Sequence, residues 1–259
     1  MKNTKKPTLG ALPTGSNIMR QAAKDSSAYS LAEIAFSSST IPLVDKLEAF
    51  PRFSTKRALA RFLVKERIYQ QILNINGIIV ECGVLHGSGL FTWAQLSNIF
   101  EPTNYNRKII GFDTFEGFPT IDGRDNTAGQ NNKPGDLRGS TVAEISISLE
   151  KYNHERHLSH IDNVTLIEGD FNVTAERFLN DNQHIIVSLL YLDFDLYEPT
   201  KRALELFLPR MPKGAILAFD ELNCDSFPGE TTALNEVIGI SRYELKRFPF
   251  DPWISYIVL

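Results

Sequence analysis

Cysteine is nearly missing from this sequence: among 259 residues only Cys82 and Cys224 occur. Two thiols cannot build a disulfide framework, so reduced cysteines in a cytoplasmic setting are expected. Long apolar runs are lacking as well. Nowhere do about 18 apolar residues follow one another, as a membrane-spanning helix needs, and no apolar stretch of signal-peptide length follows the N-terminal lysines. Nor is there a surplus of one charge. With 27 Lys+Arg against 31 Asp+Glu the formal net charge is −4, too small a field to hold a polyanion. That argues against nucleic acid or an anionic membrane as the main partner and leaves small molecules as the expected ligands. What is present, 42% hydrophobic and 22% charged residues, is the composition of a globular chain with one large or two small domains.

Residues from Met1 to about Ser30 are polar, lack periodicity and read as a mobile arm, which also suits docking on a neighbouring subunit in a homo-oligomer. From Ser54 the pattern turns helical through Leu59, Phe62, Leu63 and Ile72, with Ser54 or Thr55 as N-cap. The division expected is therefore an arm and helical extension over residues 1–53 and a main domain over 54–259. Apolar runs then alternate with helical stretches: Ile78 to Val80, Ile109-Ile110, Val164 to Ile167, Ile185 to Leu192 and Ala215 to Phe219. Such alternation predicts parallel βα units in a doubly wound α/β sheet. Helices are expected around Leu90 to Phe100, Thr174 to Leu179 and from Pro199 to about Leu208, and an antiparallel strand pair around the Asp251-Pro252 turn closes the chain. Thr120 to Gly139 is polar and too long for an ordinary connection, which marks a substrate-covering loop.

Three clusters carry chemistry. Glu81-Cys82-Gly83 through Gly87 and Gly89 form a glycine-rich turn between a strand and a helix, and Asp113 ends the next strand. Glycines let a ligand approach the main chain, and an acid after the second strand accepts hydrogen bonds from ribose hydroxyls. An adenosine cofactor follows. A pyrophosphate prefers bare amides, whereas the Glu81 carboxylate suits the cationic methionine end of S-adenosylmethionine. Asp170 and Phe171 close another strand with an acid for the adenine amine and an aromatic ring to cover it. The third cluster runs Asp193-Phe194-Asp195, then Asp220-Glu221 after the next strand. Acids at the ends of successive parallel strands face one crevice, and their repulsion calls for a hard cation. Asp193, Asp220 and Glu221 are the candidate ligands, with Mg²⁺ the simplest ion.

The strings Val80 to Gly89, Gly111-Phe112-Asp113-Thr114-Phe115-Glu116-Gly117-Phe118-Pro119 and Leu192-Asp193-Phe194-Asp195-Leu196-Tyr197-Glu198-Pro199-Thr200 resemble the macrocin/mycinamicin-type sugar O-methyltransferases, from about Ile78 to Val237. The resemblance implies a class I, Rossmann-like methyltransferase fold with a seven-stranded sheet, S-adenosylmethionine and Mg²⁺ as cofactors, and hydroxyls of sugars or glycosides as acceptors. It assigns Glu81, Gly83 and Asp113 to the cofactor, and Asp193 with Asp220-Glu221 to the metal. The family commonly has Asp-Asp where this chain has Asp220-Glu221, and Gly where it has Phe194.

Methyl transfer is an in-line displacement, so alignment and exclusion of water dominate. Asp195 is the candidate base, two residues beyond the first metal ligand. Three rival readings remain. Tyr197 and Lys201 imitate the Tyr-x-x-x-Lys pair of a short-chain NAD(P)-dependent oxidoreductase, although Pro199 lies between them. A catechol-like O-methyltransferase would use the same ion, and a non-catalytic nucleotide-binding module needs only the glycine loop and Asp113. His154, His157 and His160 read as a solvated surface, and His86 as a residue oriented near the cofactor.

Overall fold

The structure, a computed structural model, describes residues 23–127 and 131–259. The described residues divide into two compact units, one ending at Ala60 and the other Arg61–Leu259. The division falls inside a helix, where the sequence suggested a boundary after residue 53.

In the first unit, α1 (Ala23–Ser38), α2 (Leu43–Glu48) and α3 (Phe50–Phe53) are short helices. The ring of Phe36 meets Phe53 edge-on at 5.3 Å, and Lys46 Nζ donates to the Phe36 carbonyl at 2.7 Å. Of the expected arm, Ala23 to Ser30 belong to α1, and residues 1–22 lie outside the described residues. Thr55 supplies the expected cap of α4 (Lys56–Ile72), its Oγ1 accepting the Ala58 N–H at 3.2 Å.

In the second unit α4 buries Val64, Lys65, Ile68, Tyr69 and Ile72. Phe62 and Leu63, part of the helical pattern, are 37% and 49% exposed. The 3.6-residue period explains the difference: positions 64, 68 and 72 with 65 and 69 make one stripe, and Phe62 and Leu63 fall off it.

Seven strands form one sheet: β1 (Ile78–Cys82), β2 (Ile109–Asp113), β3 (Val164–Glu168), β4 (Val187–Leu192), β5 (Ile216–Phe219), β6 (Lys246–Arg247) and β7 (Ser255–Val258). Their order is β3-β2-β1-β4-β5-β7-β6. The first five are parallel; β7 runs antiparallel to β5 and to β6. The central strands β1 and β4 are buried along their whole length, as expected of apolar strands covered on both faces. One apolar cluster joins the sheet to α7 (Phe171–Asp181), α8 (Tyr197–Phe207) and α9 (Gly229–Val237), and the other joins it to α4, α5 (Ser88–Phe100) and α6 (Val142–Glu155). Two helices escaped the sequence reading. A Thr141/Glu144 capping box starts α6, and α9 follows Pro228. No helix among the described residues is long and apolar enough to cross a membrane.

The doubly wound order places a switch point between β1 and β4, where the chain leaves the sheet in opposite directions and a crevice opens at the strand C-termini.

Candidate active site

That crevice holds a cavity with about 680 Å³ of empty space including its mouth, lined on one side by Gly83, Asp113, Gly169 and Asp170, and on the other by Asp193, Phe194 and Asp195. Phe118, just before the Thr120 to Gly139 region, and Leu137, near its end, also border it. The loops after β1 and β4 touch here: the Asp193 N–H donates to the Cys82 carbonyl at 2.8 Å. A Cβ on Gly83 (φ +93°) would lie 2.0 Å from the Asp193 carbonyl oxygen, so only glycine fits.

Asp113 lines the cavity, but its carboxylate also organises the loop. Oδ2 accepts the Val84 and Leu85 N–H groups at 2.7 and 2.9 Å, and Oδ1 accepts the Phe115 N–H at 2.7 Å. Of about four acceptor positions on a carboxylate, this leaves roughly one for a ligand hydroxyl, where the sequence reading allotted two. Asp170 likewise caps α7 through the Asn172 N–H at 2.9 Å while facing the cavity. Phe171 borders it with its ring packed against Phe112 and Phe194 at 5.1 and 4.8 Å.

Three residues expected at the cofactor do not line the cavity. Gly87 is the N-cap of α5, facing Ile145 and Phe91. Gly89 backs onto Glu81, whose Oε1 would be 1.9 Å from a Cβ there. Glu81 itself is 1% exposed, and its Oε2 has no hydrogen-bond partner. Burial drives its pKa well above the carboxylate range, only partly opposed by Lys65. His86 reaches Ser140 Oγ at 3.2 Å on the surface. α6 ends at Glu155, so His154, His157 and His160 share no helix face. Tyr197 is buried, its hydroxyl held by Lys201 at 3.0 Å and by Glu236, so the Tyr-x-x-x-Lys pair braces α8 and α9 and does not line the cavity.

The acidic cluster is larger than the sequence suggested. Asp193, Asp195, Asp220 and Glu221 are joined by Glu81 and by fully buried Glu230, opposite two cations from α4, Arg61 and Lys65. Arg61 donates to Asp220 Oδ2, the Tyr191 hydroxyl donates to Oδ1, and Lys65 Nζ donates to the Tyr191 oxygen at 3.0 Å. Burial works against ionisation of Asp220, but Arg61 and Lys65 outweigh it and hold its pKa below the usual range. Elsewhere burial and like charge outweigh the two cations. Burial, then the charge of Asp220, pushes Asp193 up to about 8. Burial with Glu221 and Asp193 raises Asp195 well above its ordinary value. Asp195 sits at φ +62°, 7% exposed. Among the described residues no three His, Cys, Asp or Glu side chains converge as a ready metal cage. The expected ligands Asp193, Asp220 and Glu221 thus share one electrostatic neighbourhood, with Arg61 standing on one of them.

Arg61, Lys65 and Glu230 were not read from the sequence. The signal for the first two is their i, i+4 spacing on α4; Glu230 offers only a Pro-Gly-Glu helix start.

The sequence profile of the macrocin-O-methyltransferase (TylF) family matches residues 57–234. A rhamnosyl-tetracenomycin 4'-O-methyltransferase of Streptomyces olivaceus is 27% identical over 153 residues, 59% of this chain and 55% of the relative, so the match spans about half of that protein's length. The crystal structure of the calicheamicin methyltransferase CalS11 superposes with a TM-score of 0.88 at 29% identity, covering 100% of this chain and 99% of the other. The apo structure of CalS11, described as a TDP-rhamnose 3'-O-methyltransferase, gives 0.80 at 31% identity over 93% and 96%. NovP, an O-methyltransferase at 20% identity covering 77% and 79%, shares the fold with a TM-score of 0.61. This chain belongs to the macrocin-O-methyltransferase (TylF) family of O-methyltransferases.

Proposed function

We propose that the protein transfers the methyl group of S-adenosylmethionine to a hydroxyl of a deoxysugar or glycoside. The observation that carries this reading is the single cavity in which Gly83, Asp113 and Asp170 face Asp193 and Asp195. Bare backbone at Gly83 and Gly169 admits close approach, and the acids suit a ribose and a cationic ligand. S-adenosylmethionine supplies, when bound, a methyl group on a positively charged sulfur. This chain's own part is then to orient the acceptor, keep water out and take its proton. Asp195 faces the cavity from a strained backbone position, and burial beside Glu221 and Asp193 makes its carboxylate a stronger base than a solvated one. Deoxysugar acceptors are favoured by the rhamnose-directed relatives.

The donor chemistry fits a hard divalent cation, Mg²⁺ most simply. Burial and mutual repulsion raise Glu81, Asp193, Asp195 and Glu230, so ionising this cluster is costly, and all-oxygen ligation of a dication would relieve that cost. Asp193, Asp220 and Glu221 would hold it, with Arg61 competing for Asp220.

Calorimetry with S-adenosylhomocysteine and NAD in parallel tests the cofactor: binding of the first and none of the second is expected, and the reverse overturns the reading. Incubation with S-adenosylmethionine and TDP-rhamnose, followed by mass spectrometry, tests the acceptor. A mass gain of one methyl group is expected; no gain with TDP-rhamnose or other deoxysugar nucleotides removes this acceptor class.

A further inference from the structure

We propose that Glu230 is a positioning residue that fixes Asp195 and Glu221, the candidate base and a candidate cation ligand, by holding the loops after β4 and β5 in one register. The proposal rests on the function inferred above for what those two residues do, while the clamp itself rests on hydrogen bonds. Glu230 Oε1 accepts the N–H groups of Phe194 and Asp195 at 3.2 and 3.3 Å, and Oε2 accepts the N–H of Glu221 at 3.3 Å. One side chain from the first turn of α9 thus receives main-chain donors from both acid-bearing loops.

Burial sharpens the point. Glu230 has no solvent exposure, and a buried carboxylate is costly, the more so beside Asp193 and Asp220. Glutamine would avoid the charge but carries one acceptor oxygen and an amide that donates, which would set N–H against N–H at one of the two loops. Glu230 places an acceptor oxygen before the donors of each loop.

The backbone shows what the clamp restrains. Asp195 (φ +62°) and Asn223 (φ +60°) are both in the left-handed region, one after each strand. Such residues persist where the surroundings over-determine them. Glu230 holds the N–H of Asp195, and the neighbouring Thr231 Oγ1 accepts the N–H of Asn223 at 2.9 Å. The helix start can come this close because position 229 is glycine: a Cβ there would lie 2.5 Å from the Tyr197 nitrogen.

Residue-resolved amide hydrogen exchange on the full-length protein tests the clamp. In Glu230→Ala, exchange at Phe194, Asp195 and Glu221 should rise roughly tenfold or more while β1 and β2 keep their protection. In Glu230→Gln the single oxygen serves the pair of donors, so protection returns at Phe194 and Asp195 but not at Glu221; this variant decides the matter if Glu230→Ala fails to fold. Unchanged exchange at the three amides, or a rise spread over the whole sheet, overturns the proposal. Turnover adds a readout that loss of stability alone does not produce: with TDP-rhamnose, kcat should fall at least tenfold in Glu230→Ala while affinity for S-adenosylhomocysteine stays within about twofold. Exchange raised at the three amides with kcat intact also overturns the positioning role. If the wild-type protein ignores TDP-rhamnose, the acceptor reading fails, and the exchange pattern still decides the clamp.

Discussion

The two ends of the sheet treat buried charge in opposite ways. At the N-terminal ends of the strands Arg107 is 2% exposed, and every group around it is matched. It donates to Glu101 Oε2 at 2.8 Å, to the carbonyls of Ile72, Ile75 and Gly77 at 3.0, 2.9 and 2.7 Å, and to Ser188 Oγ at 2.8 Å. At the C-terminal ends six carboxyl groups share Arg61 and Lys65. The pKa directions follow. Burial alone would raise Glu101, but hydrogen bonds from Arg107, Tyr69 and Asn104 bring it below its ordinary value, whereas Glu81, Asp193, Asp195 and Glu230 are all raised. Around Arg107 the charge is matched and serves stability. The other end is left short of positive charge, as expected where a cation or cationic ligand is to bind.

Three substitutions press on this contrast. The largest effect belongs to the unsatisfied end: Asp195→Asn should lower kcat by about 10²- to 10⁴-fold, the range for loss of a general base, with S-adenosylhomocysteine binding retained. Single-turnover rates against calorimetric affinity check it, and a kcat within threefold of wild type removes Asp195 as base. Near Arg107, Arg107→Met should leave that binding untouched yet cost about 3–5 kcal/mol of stability, because Glu101 loses its counter-ion and the Ile72, Ile75 and Gly77 carbonyls lose a donor. Urea melts measure it. A loss under 1 kcal/mol would mean that the lower end is no better satisfied than the upper.

How much of this was legible beforehand differs between backbone and side chains. The parallel strands, the antiparallel close and the loop-bearing acids could be read because apolar runs and strand-end polar residues are local signals. The helix through Phe62 and Leu63 was legible but its buried face was not, because both are apolar in type yet fall off the stripe that a 3.6-residue period sets. Gly87 and Gly89 matched a cofactor motif, but they serve a helix cap and the packing of Glu81. What pairs with the acids was invisible, since Arg61 and Glu230 reach Asp220 and Asp195 across long stretches of chain. Spacing along a sequence carries no record of such meetings.

The smallest expected effect is the one in which removing a site residue helps the fold. Asp193 has an ordinary carboxyl value when unfolded and is pushed up to about 8 when folded. Between these values the folded chain keeps a proton that the unfolded chain has lost, so stability falls as pH rises from about 4 to about 8 and is level above. Asparagine cannot ionise, and Asp193→Asn should erase that descent. In chelator the variant and wild-type stabilities should nearly coincide near pH 4 and separate in the variant's favour as pH rises to 8. Glu101 acts in the opposite sense, losing its contribution as pH falls, but it is common to both proteins and cancels in the difference. Curves that stay parallel across the range would mean that Asp193 ionises in the folded chain as it does in the unfolded one, its charge balanced by Arg61 and Lys65.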